Sequence, residues 1–239
     1  MRHGRSILTG LVALASLWAV GCKGNSPEPS AASRQAAAAT VPSADPDAPP
    51  ARPRIVAFGD SLTIGLGLLE QEAYPALLQK KIDEAGYQFE VINAGVSGDT
   101  SAGGLRRLDW ALEGNVKVLI VAFGGNDGLR GLPPETTRQN LQAIIERTQK
   151  KYPQAKIILA GMKVPPNMGA DYANKFGVIY PDLAKKNKAL LVPFILENVG
   201  GVRELNLPDG IHPTAKGHEL VAANVWKVLE PVLQGLVGK

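Results

Sequence analysis

Cysteine is nearly absent from this sequence, with a single residue, Cys22, in 239. A chain with one cysteine forms no internal disulfide, which excludes the small disulfide-rich domains. Aromatic residues make up only 5% and charged residues 20%, and this composition, with 26 glycines and 18 prolines, fits neither a collagen nor a coiled coil. The length suits one α/β domain of about 180 to 200 residues with an appendage.

Histidine is also scarce, with only His3, His212 and His218. Because the chain has no His-Glu-x-x-His sequence and no paired cysteines, we expect no metal site. The glycine-rich segment 124–128 lacks the Gly-Lys-Ser/Thr ending of a P-loop, so we expect neither phosphate binding nor a cofactor. The net charge of +4 forms no basic stripe with interleaved aromatics, which argues against nucleic acid as a partner.

The N-terminal 22 residues have the pattern of a secretory signal. Two arginines precede an apolar stretch at 7–20, which is too short and too poorly flanked to indicate a membrane span. The ending Ala-Val-Gly-Cys resembles a bacterial lipoprotein signal in which Cys22 is acylated, although such signals prefer Leu where Ala19 stands. Ordinary cleavage is the alternative. We expect export from a bacterial cytoplasm to the periplasm, the medium or a membrane surface.

Residues 23–53 are rich in Ala, Pro and Ser and contain no aromatic residue. Such a composition cannot build a core, so we interpret this segment as a semi-extended tether that serves as a spacer. The remaining residues, 54–239, are expected to form one folded domain, and we expect a monomer.

A repeated pattern of strands and helices fills this domain. Short apolar or β-branched runs predict five strands, at 55–58, 89–92, 116–123, 156–160 and 190–194. Helical patterns follow at 72–85, 101–113, 134–151, 172–187 and 215–236. Alternation of this kind predicts an α/β fold with a five-stranded parallel sheet flanked by helices. Functional groups are then expected in the loops at the carboxyl ends of the strands.

Three of those loops and one later turn hold unusual residues. They read Gly-Asp-Ser-Leu at 59–62, Ser-Gly-Asp-Thr at 97–100, Gly-Gly-Asn-Asp at 124–127 and Asp-Gly-Ile-His-Pro at 209–213. A serine hydroxyl becomes nucleophilic when a base takes its proton and a third group orients that base. Ser61, His212 and Asp209 match those three roles.

The small number of histidines limits the choice of the base. His3 is lost with the predicted leader, and His218 lies within a helical pattern, where an ordinary structural role is expected. His212 stands in a turn three residues after Asp209 and is therefore favoured. Each motif alone has a plain structural explanation, such as a helix cap or a turn, but their joint occurrence after successive strands argues against coincidence.

These residues resemble the SGNH, or GDSL-type, serine hydrolases over about residues 54–235. Gly59–Leu62 is similar to the nucleophile block, and Asp209 with His212 to the Asp-x-x-His block. The resemblance implies a three-layer flavodoxin-like fold without a cofactor. It also implies an oxyanion hole formed by the backbone N–H groups of Ser61 and Gly98 and the side-chain amide of Asn126.

Within the family, segments 124–131 and 209–213 are most similar to the bacterial lysophospholipase, arylesterase and thioesterase group. That similarity implies hydrolysis of carboxylic esters or thioesters through an acyl-enzyme, with a small ester or a lipid as substrate. Two alternatives stay open: an O-acetyl deacetylase of cell-wall or polysaccharide substrates, and a non-catalytic lipoprotein that binds lipid or a partner. Apolar loop residues, which can instead serve to pack the helix ends, are candidates for contact with an acyl chain: Leu66, Leu129, Leu132, Val164, Pro165 and Ile211.

Overall fold

A computed structural model of the chain describes residues 52–238. The predicted leader, Cys22 and nearly all of the predicted tether lie outside the described residues. Five parallel strands form one sheet in the order β2-β1-β3-β4-β5. Their bounds are β1 (Arg54–Gly59), β2 (Glu90–Gly95), β3 (Val116–Ala122), β4 (Lys156–Ala160) and β5 (Leu190–Val192). The predicted α/β class with a five-stranded parallel sheet is confirmed.

Helices flank this sheet in two groups. Helices α3, α5 and α7 pack side by side as one group, and α2 packs against α8 in the other. The helices are α1 (Ser61–Ile64), α2 (Tyr74–Glu84), α3 (Ser101–Ala111), α4 (Gly125–Leu129), α5 (Pro134–Lys151), α6 (Ala170–Gly177), α7 (Ile179–Asn187) and α8 (Ala215–Val237). Three single 3₁₀ turns lie at Glu70–Glu72, Pro166–Met168 and Arg203–Leu205.

The centre of the core is formed by β1 and β3. Residues 55–58 and 118–122 are each at most 1% exposed, at even and odd positions alike. A strand can bury both faces only when helices cover the sheet on both sides, which explains the absence of apolar–polar alternation in these runs. From β1 the chain adds β2 on one side of the sheet, and it then crosses to the other side of β1 to add β3, β4 and β5. In folds of this kind, ligands bind in the crevice outside the carboxyl ends of the two strands at this switch point, β1 and β3.

Three of the differences between the predicted and the observed elements have a clear physical reason. The helical pattern at 172–187 is two helices, because Pro181 has no N–H to donate to the carbonyl of Gly177 and its ring clashes with that carbonyl. Strand β2 extends three residues further, to Gly95, where it pairs with the end of β1. Strand β5 ends at Val192, before Pro193, which cannot continue the hydrogen-bond ladder.

Helix α8 is the one described helix that is long and apolar enough to span a membrane, with a mean hydropathy of 1.2. Its apolar residues at every fourth position, Val221, Val225, Leu229 and Leu233, are completely buried in the domain. This stripe packs against α2 and the edge of the sheet, so within the domain α8 serves as a core helix.

Candidate active site

Ser61 lies where β1 turns into α1. The carboxylate of Asp60 caps this short helix by accepting a hydrogen bond from the N–H of Leu62 at 3.0 Å. The turn is tight: a side chain at Gly59 would collide with Thr63 and with the carbonyl oxygen of Ala122. The helix-cap explanation of the Gly-Asp-Ser-Leu motif is therefore compatible with the nucleophile explanation, because the cap fixes Ser61 at the edge of the sheet.

The structure brings Ser61, His212 and Asp209 into one hydrogen-bonded row. Nε2 of His212 lies 2.9 Å from Oγ of Ser61, and Nδ1 of the same ring lies 2.7 Å from Oδ2 of Asp209. An ionised carboxylate only accepts, so Nδ1 carries the proton and Nε2 of the neutral ring is the acceptor for the serine hydroxyl. This is the arrangement needed for the removal of a proton from Ser61.

The turn that holds the imidazole is stabilised mainly from within. One oxygen of Asp209 accepts from the backbone N–H groups of Ile211 and His212, both at 3.0 Å, while the other faces the ring. The hydrogen bond from His212, followed by these two backbone bonds, lowers the pKa of Asp209 to about 2. With its pKa at about 2, the carboxylate is ionised at neutral pH.

Two backbone N–H groups in the cavity lining, those of Ser61 and Gly98, have no hydrogen-bond acceptor among residues 52–238. Gly98 has φ of +81°, a left-handed conformation that glycine adopts without strain. Donors left free beside a nucleophile are what an oxyanion needs.

The side-chain amide of Asn126 completes this set. Its Nδ2 donates to the backbone carbonyl of Asp99 at 2.9 Å and makes a longer contact of 3.3 Å with Oδ2 of Asp60. Burial raises the pKa of Asp60 to about 6, although its bonds to Leu62 and Asn126 act in the opposite direction. The contact with Asp60 is the longer and therefore the weaker of the two.

Asp127, next in the chain, anchors the loop of Asn126 beneath the surface. Its carboxylate is 1% exposed and accepts from the backbone N–H and the hydroxyl of Ser101 and from the hydroxyl of Thr137. The loop after β3 is thereby joined to the helix that follows the Gly98 loop. This contact links the segments after β2 and β3 that carry Gly98 and Asn126, two of the predicted oxyanion donors.

A cavity of about 670 Å³ opens from this row of residues. Of the predicted acyl contacts, Leu129, Val164, Pro165 and Ile211 line it, whereas Leu66 and Leu132 do not. Met162, which precedes Val164 in the segment after β4, also lines the cavity. The sequence analysis missed the part of the apolar wall that comes from the loop after β5: Phe194 and Leu196. The rule that ligands bind at carboxyl ends of strands applies equally to β5 and could have indicated that loop.

His218 lies away from this row and has a structural role. It is 1% exposed, and its Nδ1 accepts a hydrogen bond from the backbone N–H of Tyr74 at 3.0 Å. Burial lowers the pKa of His218 to about 4, so the ring is neutral near pH 7. Within residues 52–238 no group of three or more His, Cys, Asp or Glu side chains could hold a metal ion.

A doubly wound α/β domain with a serine, a histidine and an aspartate in hydrogen-bonded series, beside free backbone donors, has the architecture of a serine hydrolase. Residues 57–220 match the model of the GDSL-like lipase/acylhydrolase family, and the chain belongs to this family. The family predicted from the sequence motifs is thereby confirmed.

Several characterised proteins are similar to the chain. It is 42% identical over 180 residues to the esterase TesA of Pseudomonas aeruginosa, which covers 75% of this chain and 89% of that protein. It is 37% identical over 180 residues to thioesterase 1/protease 1/lysophospholipase L1 of Escherichia coli K12, with 75% and 84% covered. The crystal structure of AlinE4, an SGNH-hydrolase family esterase, aligns with a TM-score of 0.63 at 46% identity and covers 75% of this chain and 96% of that one. The chain is a serine ester hydrolase, as predicted.

Proposed function

We propose that Ser61 is the nucleophile, His212 the general base and acid, and Asp209 the group that orients the imidazole. The observation that carries this assignment is the continuous row of contacts, 2.9 Å from Ser61 to His212 and 2.7 Å from His212 to Asp209. Oγ of Ser61 attacks the acyl carbonyl carbon while its proton passes to Nε2 of His212. The negative charge of the tetrahedral intermediate lies on the former carbonyl oxygen.

That oxygen accepts hydrogen bonds from the backbone N–H groups of Ser61 and Gly98 and from the side-chain amide of Asn126. When the intermediate collapses, the bond to the alcohol or thiol breaks and Nε2 of His212 donates its proton to the leaving group. A water molecule then attacks the acyl-serine with the same imidazole as base. Release of the carboxylic acid restores Ser61.

For the substrate, we propose esters or thioesters with a medium or long acyl chain, lysophospholipids among them. The apolar wall formed by Leu129, Met162, Val164, Phe194 and Ile211 supports this choice, since it begins beside Ser61. The cavity volume lies within the range usual for small-molecule sites. The names of the relatives, which include a thioesterase and a lysophospholipase, favour the same substrate class.

The test is a series of p-nitrophenyl esters from acetate to palmitate, measured with the full chain. We expect kcat/KM to increase from acetate toward medium or long chains, because a longer chain buries more apolar surface against the wall. A maximum at acetate would contradict the proposed substrate and would favour the O-acetyl deacetylase.

The nucleophile is tested separately with a fluorophosphonate probe, which labels an activated serine. We expect labelling of the wild type, none of Ser61→Ala, and strongly slowed labelling of His212→Ala. Equal labelling of the wild type and Ser61→Ala would show that another residue reacts, and the assignment would be wrong.

We also propose that the protein is exported and held at a membrane surface through acylated Cys22, on the evidence of the leader sequence alone. A fatty-acid probe fed to expressing cells should label the wild type and leave Cys22→Ala unlabelled. A protein that is cleaved and unlabelled in both forms would indicate simple secretion.

A further inference from the structure

Arg107 lies beneath the site without lining the cavity. It projects from α3, and each of its three guanidinium nitrogens donates one hydrogen bond: Nε donates to Oδ2 of Asp99 at 2.6 Å, and the two terminal nitrogens donate to the carbonyl oxygens of Ala94 at 2.8 Å and Gly59 at 2.7 Å. One side chain of α3 thus binds the carboxyl ends of β1 and β2 and the loop that follows β2.

Two of these three acceptors, Gly59 and Asp99, lie within two residues of a donor of the proposed oxyanion hole. Gly59 stands two residues before Ser61, whose N–H is the first donor. Asp99 directly follows Gly98, the second donor. The backbone carbonyl of the same Asp99 accepts the hydrogen bond of Asn126, the third donor, at 2.9 Å. Through Gly59 and Asp99, Arg107 therefore contacts residues that lie next to, or are hydrogen-bonded to, each of the three donors.

The surroundings of Arg107 favour a rigid arrangement. Its side chain is 17% exposed and that of Asp99 20%. The guanidinium carbon lies 4.7 Å from the ring centre of Phe58 and 5.6 Å from that of Phe123. A planar group held between aromatic rings and three acceptors has little freedom, and a lysine ammonium cannot reach three acceptors in the same plane.

We propose that Arg107 is the positioning residue of the oxyanion hole. Its hydrogen bonds hold the carbonyl oxygen of Gly59 and the carboxylate of Asp99. By restraining the Asp99 side chain they also restrain the Asp99 backbone, and so they fix the spacing of the three donors. This inference rests on the proposed function, because the donors matter only if an oxyanion forms there. The charge of the oxyanion develops in the transition state, so a displaced donor lowers kcat more than it raises KM.

A purely structural role predicts a different result. If Arg107 only anchored α3, its loss would lower the free energy of unfolding and leave kcat of the folded fraction unchanged. Arg147 provides the matched control, since it also joins an aspartate, Asp109 at 2.7 Å, to a backbone carbonyl, that of Leu105 at 3.2 Å. It does so on the outer surface, away from the cavity lining.

The experiment compares full-length wild type, Arg107→Met, Arg107→Lys and Arg147→Met. For each we would measure kcat and KM with one p-nitrophenyl ester, and inhibition by two compounds of equal chain length. An alkyl boronic acid forms a tetrahedral adduct with the serine and imitates the transition state, whereas the carboxylic acid product imitates the ground state. Thermal unfolding gives the folded fraction.

We expect Arg107→Met to lower kcat about 10- to 100-fold, with KM and product inhibition within about threefold, and to weaken boronic acid inhibition in parallel with kcat. Arg107→Lys should lie between the wild type and Arg107→Met. Arg147→Met should match the wild type in every constant.

If folded Arg107→Met keeps kcat and boronic acid inhibition within twofold of the wild type, the proposal is overturned. If Arg107→Met does not fold, Arg107→Lys and Asp99→Asn replace it as test variants. Asp99→Asn removes the ion pair and keeps the backbone carbonyl. Wild-type rates in both would overturn the proposal, and a loss confined to kcat and boronic acid affinity would support it. Failure of the proposed function is distinguishable, because the wild type and Arg147→Met would then show no serine-dependent hydrolysis.

Discussion

The turn that carries Asp209 and His212 is held largely by contacts that span three residues, and the side chain of Asp209 is 44% exposed. The donors of the proposed oxyanion hole, by contrast, stand beside buried acidic residues, with Asp60 3% and Asp127 1% exposed. One half of the site is a local turn at the surface, and the other is a network that joins three strand ends.

This difference separates two physical requirements. Proton transfer needs an imidazole of the correct tautomer within reach of the serine, and a short turn with one ionised carboxylate meets that requirement. Stabilising an oxyanion needs several dipoles fixed before the charge develops, and fixed dipoles require buried, mutually restrained supports. We therefore expect the two halves to respond differently to substitution.

Removal of the proton-transfer group gives the largest expected effect. His212→Ala should lower kcat/KM for a p-nitrophenyl ester by about 10⁴-fold or more, since the serine then has no base. His218→Asn is the matched control and should stay within a few-fold of the wild type at pH 7, because His218 lies outside the row. Activity of His212→Ala above a tenth of the wild type would show that the exposed turn is not part of the catalytic machinery.

On the oxyanion side, Asn126→Ala should lower kcat about 100- to 1000-fold, which is the usual cost of one side-chain donor. KM should change little, because the donor acts on the transition state. Asn224 also donates to two backbone carbonyls but lies on α8 outside the site, so Asn224→Ala should keep the wild-type kcat. Equal kcat values for the two variants would remove Asn126 from the oxyanion hole.

The buried His218 sharpens the comparison with the half-buried His212 through the pH dependence of stability. The pKa of His218 is lowered to about 4, whereas an unfolded chain binds the proton near pH 6.5. The stabilisation is therefore complete above about pH 6.5 and is lost as the pH falls through 4. Between pH 7 and pH 4 the wild type should lose on the order of 2 to 3 kcal/mol more unfolding free energy than His218→Asn.

Urea unfolding at pH 7, 6, 5 and 4 measures this difference. Asparagine retains an acceptor for the N–H of Tyr74 but does not titrate. Asp60, whose raised pKa has the opposite sign and reduces stability as the pH rises through about 6, is present in both proteins and cancels in the comparison. Parallel curves for the two proteins would show that His218 titrates in the folded state as it does in the unfolded chain.

The smallest expected effect concerns the acyl wall. Leu129→Ala should raise KM for a long-chain ester about 3- to 10-fold and leave the acetate ester unchanged, because only the long chain reaches the apolar surface that is removed. Leu66 has a similar exposure, 41% against 45%, but does not line the cavity, so Leu66→Ala should have no such effect. Identical chain-length profiles for the two variants would contradict the assignment of this wall.

Several features of the site were predictable because their causes are local. Asp209 and His212 are three residues apart, so a turn alone brings the carboxylate to the ring. The apolar runs predicted the order of strands and helices. The sequence also contained the cause of the break between α6 and α7, because Pro181 has no N–H to donate.

The contacts that Arg107 makes near the proposed oxyanion hole could not be predicted from the sequence in this way. Arg107 contacts Gly59 across 48 residues and Ala94 across 13, and nothing in the spacing of these residues indicates the contact. The apolar wall at Phe194 and Leu196 was missed for a related reason, since the loop after β5 carries no polar motif.

By itself, the sequence determined the family, the parallel α/β fold and the chemical groups of the reaction, because periodic burial and short motifs carry that information within a few residues. Only the tertiary structure decided which side chains contact the segments that carry those groups, since the guanidinium group of Arg107 binds acceptors on segments that meet only after the sheet has formed. The distances between the proposed oxyanion donors are thus set by packing, because the donors come together only when the ends of β1, β2 and β3 meet at one edge of the sheet.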